Sequence, residues 1–390
     1  MSQVSPAPTA SPDTPGGSTA PDTPDTPDTP DTPDTPDSER GGRPRERDAF
    51  FDNAKFLAVV LVVVGHSWEG LRDGSRVMAA GYLLLYAFHM PAFTIVSGHF
   101  SRSFSFRPRQ IRRLVTGVVV PYIVFETALN LFRAWNTGEE LRITLLYPWY
   151  LTWFLMALFI WRLTAPLWRA LRHPFTVSVV LAAFATASPD IGGDLALQRV
   201  LQYLPFFVLG LRLERRHFEA LRERRMRLLA PAVLALGALA AYWAVPRMNP
   251  DWFYHRYAAQ ELGAPGWVGV LMTLGMLGCS LLLSAAFLSL TPSRRTWFTA
   301  LGAGTLYAYL LHGFLAKGAH YWGWYEGGFV NSPAGFLFVT AAAAAVAVAL
   351  TTPLVVSAFR WVMEPRLEWF FAPERPSRTG RERRAAASGT

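Results

Sequence analysis

From about residue 49 to about residue 362 the chain is one apolar run after another, each close to the length that crosses a bilayer and each bounded by a short polar stretch. About 20 apolar residues span the hydrocarbon core. On that criterion helices are predicted near residues 54–72, 77–98, 114–133, 149–166, 174–188, 199–213, 228–246, 267–290, 300–320 and 334–362. The expected fold is therefore all-α: a polytopic membrane bundle of about ten transmembrane helices. The fifth and sixth runs are short, which suits tilted, broken or partly re-entrant segments.

Charged residues make up 17% of the chain, below the roughly 25% of a soluble domain, and they concentrate outside the apolar runs. A net charge of +9 invites a nucleic-acid partner, but the basic residues fall between apolar segments and form no single patch, so none is expected. With ten spans, most of the Lys and Arg residues fall on the side of the N-terminus, including Arg107 to Arg113 and Arg212 to Arg227. By the positive-inside rule both termini are cytoplasmic, in a multi-pass protein of the cell membrane. Five Asp-Thr-Pro triplets from Asp22 to Pro36 can neither form a helix nor bury a core. Residues 1–47 are thus expected as a disordered tail, 48–372 as the membrane domain and 373–390 as a second, basic tail. No cleavable signal sequence is apparent, so the first apolar helix is the expected insertion signal. The lone Cys279 excludes a disulfide framework and a cysteine metal site.

The first helix carries Asp52, Lys55 and His66. Lys55 and His66 are eleven residues apart, three helical turns, which puts them on one face about 16 Å apart along the axis. An ionisable group within the membrane marks function by default, although a histidine can also be satisfied by a neighbouring carbonyl. Imidazole suits general-base work because it takes up and returns a proton near neutral pH. Asp52 is too far along the helix to orient His66, so any orienting carboxylate is expected from another helix. Glu126 in the third span qualifies by burial, and equally as a plain structural hydrogen bond. In the second helix, Pro91 within Phe88-His89-Met90-Pro91 frees backbone carbonyls, which suits the lining of a tunnel, while Ser97-Gly98 also reads as close helix packing. Arg109 and Arg112, one turn apart and followed by Arg113, could grip a polyphosphate or serve only topology. Trp252, Tyr254, His255 and Tyr257 in the outer loop 247–266 could stack on a sugar or form an interfacial belt.

Taken in order, these segments resemble the integral-membrane acyltransferase 3 family, especially its fucose 4-O-acetylase-like branch. The likeness rests on Asp52-x-x-Lys55, Lys55-x(10)-His66, Phe88-His89-Met90-Pro91 through Ser97-Gly98, Arg109-x-x-Arg112, Val120-Pro121-Tyr122, Trp153-Phe154-Leu155 and Tyr307-Ala308-Tyr309-Leu310-Leu311-His312. It covers roughly residues 48 to 365, and its specificity lies in the order and spacing of the motifs. His99 after Ser97-Gly98 departs from the usual aromatic or aliphatic residue.

The resemblance implies transfer of an acyl group, usually acetyl, from cytoplasmic acyl-coenzyme A to a hydroxyl of a carbohydrate or other envelope-associated or small-molecule acceptor. By it, His66 is the catalytic residue, as general base or acyl carrier. Lys55, Arg109, Arg112 and Arg113 hold the coenzyme. Asp52, His89, Ser97, Glu126 and His312 support the site or line its tunnel, and no metal is expected. A transporter or lipid-linked glycan flippase is the competing class. Against it stand the lack of an internal repeat and of several membrane-embedded carboxylates.

Overall fold

The computed structural model describes residues 48–372, and the expected tails 1–47 and 373–390 lie outside the described residues. Among the described residues every regular element is helical. The chain runs through α1 (Ala49–Trp68), α2 (Arg76–Phe100), α3 (Pro108–Leu114), α4 (Val120–Thr137), α5 (Trp153–Ala170) and α6 (Pro174–Ala187). It continues through α7 (Leu197–Gln202), α8 (Leu204–Arg212), α9 (Arg215–Leu221), α10 (Arg224–Ala244), α11 (Gly266–Leu290), α12 (Thr305–Tyr321), α13 (Pro333–Leu350) and α14 (Pro353–Met363).

Helix starts follow their side chains. Asp48 accepts from Phe50 N at the head of α1, Ser75 from Met78 N at the head of α2, and Ser332 from Gly335 N at the head of α13, each satisfying an amide that has no partner inside the helix. Proline decides the interruptions. Pro121 has no N–H to offer the carbonyl four residues back, and a π turn at Val115–Val119 sits just before it, joining α3 and α4 into one rod, Pro108–Thr137. A single last span over 334–362 is not formed. The helix stops at Leu350 and restarts at Pro353, whose ring cannot continue the preceding turn.

Six of these rods among the described residues are long and apolar enough to cross a membrane: α1, α2, the α3–α4 rod, α10, α11 and α13. Burial ranks them. The apolar window of α2 is 78% buried inside the protein and that of α10 only 11%, although both are strongly apolar. Leu236 and Leu239 of α10, Leu271 and Leu282 of α11 and Phe338 of α13 project outward, the arrangement of a multi-pass membrane protein whose outer helices face lipid tails. α1 and α2 form the centre. There α2 crosses α8 backbone to backbone at Gly98 and Gly210, where a Cβ on Gly98 would collide with the Phe207 carbonyl oxygen and one on Gly210 with that of Ile95.

The loops gather at two ends. At the N-terminal end of α1, Asp48 pairs with Arg215 at 3.3 Å, Arg169 donates to the Arg102 carbonyl, Arg227 donates to Ser289 O, and buried Asn53 donates to Pro292 O and Arg294 O. At the other end Arg72 donates to the Tyr254 hydroxyl at 2.6 Å, and Ala259 N to Thr186 O at 2.8 Å.

Candidate active site

His66 stands in the last turn of α1 and is not a histidine quietly satisfied by a carbonyl. His89 and His312 are: their Nδ1 atoms bond the carbonyls four residues back, Leu85 O at 2.7 Å and Ala308 O at 2.9 Å. His66 instead places Nδ1 3.1 Å from Oε1 of Glu69, just past the end of the same helix. Lys317 of α12 brings Nζ to 3.4 Å from the other oxygen of Glu69 and lies 4.0 Å over the Tyr150 ring. Burial pushes the Glu69 carboxyl up, but the His66 hydrogen bond and the charges of His66 and Lys317 outweigh it and hold the group down at about 2. An ionised carboxylate only accepts. The Nδ1 of His66 therefore donates to Glu69, and no hydrogen bond to its Nε2 occurs among the described residues.

His66 lines a cavity of about 580 Å³ together with Glu69, Tyr86, His89, Trp149, Tyr150, Arg199, Tyr254, Lys317 and others. Its volume lies within the range of small-molecule sites. Tyr150, at φ 55°, a backbone angle uncommon outside glycine, packs edge-on to His66 with ring centroids 4.7 Å apart. Glu126 holds that loop. Its carboxylate accepts from Trp149 N at 2.9 Å, from the Thr152 hydroxyl and from Asn130 Nδ2 at 2.8 Å. The carboxylate expected from another helix to orient His66 is thus not Glu126, which works one step away through the backbone beside Tyr150. His312 Nε2 is buried without a partner, its ring centroid 5.3 Å from that of His66. Tyr86 OH reaches Glu69 at 3.4 Å, and Tyr82 OH shares a 2.8 Å bond with the Tyr254 hydroxyl.

A family model for the acyltransferase domain of the acyltransferase 3 family matches residues 48–352. The chain belongs to this family. No curated protein and no solved structure matches it. The matched stretch of this membrane acyltransferase takes in α1 to α13 whole, stops just before α14, and includes every residue that lines the cavity. Among the described residues no group of three or more His, Cys, Asp or Glu is arranged to hold a metal ion.

The remaining sequence candidates of the acyltransferase lie toward the other end. Asp52 and Lys55 form an ion pair at 2.8 Å, with Lys55 Nζ 5.2 Å over the Phe100 ring. Gln110 accepts from Ser105 N at 2.8 Å and donates to Ser103 O at 2.6 Å, folding the loop from which α3 starts. Arg109 and Arg113 on α3 are exposed, and Arg112 lies 5.0 Å over the Phe371 ring. Ser97 sits beside the Gly98 crossing, and its carbonyl accepts from the Ser101 hydroxyl. None of Asp52, Lys55, Ser97, Arg109, Arg112 or Arg113 lines the His66 cavity. On α1 the lining reaches in only as far as Val62, and on α2 as far as Met90. Beyond them Ala54, Val59, Ile95 and Val96 belong to the packed core, and the cavity's lining does not reach the arginines.

Sequence inspection missed Glu69 and Lys317. In the sequence Glu69 follows Trp68 at the end of the apolar run and reads as a loop residue.

Proposed function

We propose that this membrane acyltransferase moves an acetyl group from cytoplasmic acyl-coenzyme A to a hydroxyl of a carbohydrate or other envelope-associated acceptor, in the manner of the fucose 4-O-acetylase-like branch. The observation that carries the proposal is the His66–Glu69 pair, both of whose residues line a sugar-sized, aromatic-walled cavity. His66 Nε2 takes the acceptor proton as the hydroxyl oxygen attacks the thioester carbonyl. The C–S bond breaks and the thiolate leaves with that proton, while Glu69 steadies the transient imidazolium. In the alternative order Nε2 itself attacks, coenzyme A leaves, and the acyl-imidazole passes its acyl group to the hydroxyl. Lys55, Arg109, Arg112 and Arg113 bind the coenzyme phosphates at the other end, and the passage past Val59 opens as the donor arm enters. Ten crossings with both termini cytoplasmic agree with the arginine-rich loops meeting at the N-terminal end of α1.

The test uses purified protein in nanodiscs with radiolabelled acetyl-coenzyme A. His66→Ala is expected to abolish thioester turnover and keep donor binding, whereas Arg109→Ala/Arg112→Ala weakens donor binding. Label retained on the wild-type protein would select the acyl-imidazole route. A folded wild type that binds no coenzyme A would overturn the proposal.

A further inference from the structure

The cavity at His66 holds more positive charge than its own residues balance. Arg72, Arg199, Arg256 and Lys317 line it, and Glu69 is the one carboxylate among its lining residues. Lys317 is engaged with Glu69, while Arg72 donates to Tyr254 and lies 3.6 Å from Asp73. Arg199 and Arg256 meet no acid among the described residues. Each lies over a ring instead, Arg199 4.9 Å from the Trp153 centroid and Arg256 5.3 Å from that of Tyr257. The Nε of Arg199 is buried with no hydrogen-bond partner, and so is Nε2 of His255, the residue next to Arg256. A guanidinium drawn out of water without a counter-ion is costly, which applies to Arg199; Arg256 is exposed, and both line the cavity.

We infer that the acceptor is an acid: a hydroxyl compound of sugar size whose carboxylate or phosphate docks on Arg199 and Arg256 while its hydroxyl meets His66. Guanidinium forks match those two anions bidentately, and the aromatic wall from Trp149 to Trp153 offers a stacking face for the ring between them. The inference rests on the acyl-transfer proposal for the identity of the ligand as acceptor, but not for its charge. The coenzyme phosphates are the other possible source of negative charge, and the test separates the two.

Binding of glucuronic acid, glucose 6-phosphate, glucose and coenzyme A to the full chain in nanodiscs is measured by calorimetry, without turnover. At least one of the two acids is expected to bind about tenfold or more tightly than glucose, the size of a charge-assisted hydrogen bond, with the advantage shrinking as salt rises. Arg256→Gln, at an exposed position, removes most of the advantage and leaves glucose unchanged. Arg199→Lys, which keeps the charge but not the fork, removes part of it. Equal binding of glucose and both acids overturns the inference, as do variants that lose coenzyme A binding and keep acid binding. Acid preference that survives in His66→Ala, a variant without turnover, supports the docking site on its own and keeps its fate apart from that of the acyl-transfer proposal.

Discussion

The Nδ1 of His66 lies 3.1 Å from Oε1 of Glu69, three residues on and one helical turn away. The pair needs no other helix to form, so the bundle is asked only to bring it a counter-charge and a cavity. Lys317, about 250 residues later in the chain, supplies the first at 3.4 Å. A negative charge against one imidazole nitrogen makes the other nitrogen the stronger base and fixes where the ring points.

Glu69→Gln keeps the shape and removes the charge. Donor binding is expected to stay within a factor of a few, while kcat for coenzyme A release falls by about 10²–10⁴, the range for a displaced base or wrong tautomer. Stopped-flow detection of the released thiol checks it, and an unchanged kcat would sink the role given to Glu69.

Glu126→Ala removes the acceptor for Trp149 N, the Thr152 hydroxyl and Asn130 together. Leaving these donors buried and unmet costs about 2–4 kcal/mol, read as a lower midpoint of thermal unfolding in detergent. Because Tyr150 loses its fixed place beside His66, kcat should drop as well. A variant with normal stability and normal turnover would show that the loop is held by other contacts.

Stability should fall as the solution is acidified, in two stages. Burial first, and the charge of Arg199 second, hold the His255 imidazole down at about 4, below the ordinary value near 6.5. Between about pH 6.5 and 4 the unfolded chain takes up a proton that the folded one refuses, so folding weakens as pH falls through that window. Glu69 acts lower. Its folded carboxyl sits at about 2 against an unfolded value near 4.3, so its contribution is full above about pH 4.3 and is lost on the way to about 2. Unfolding midpoints at pH 7, 5 and 3 for wild type, His255→Gln and Glu69→Gln test both. Parallel curves for all three proteins would contradict the assignment.

Gly210→Val would drive a side chain into the Ile95 carbonyl at the crossing of α2 and α8. Backbone on both sides leaves nothing to rotate away, so the cost should reach about 3 kcal/mol or more. The protein should elute from size-exclusion chromatography as aggregate. Gly117→Ala, at a glycine whose added Cβ meets nothing within 4 Å, should elute as wild type.

What could be read from the sequence was what a single helix fixes. Lys55 and His66 stand eleven positions apart on one rod, so their spacing is set before any packing. Glu69 escaped because its meaning lies in a side-chain conformation at the end of that rod, where an acid looks like loop. Arg199 and Arg256 escaped for another reason: arginines at membrane borders are common, and only the cavity distinguishes two that lack an acid. In the loop 247–266, Tyr254 and Tyr257 line that cavity, a placement that composition alone does not give. The break at Pro353 was masked by uninterrupted apolarity on both sides, and the short α6, the pair α7 and α8, and α12 fall below the length that by itself identifies a crossing.

The cavity ends at Val62 and Met90, and the packed stretch through Val59, Ile95 and Val96 lies between it and Lys55. A continuous column of water along α1 would conduct protons and drain whatever gradient the membrane maintains. An aliphatic plug of this kind insulates: it lets a polar cavity sit inside a multi-pass protein with no water path along α1.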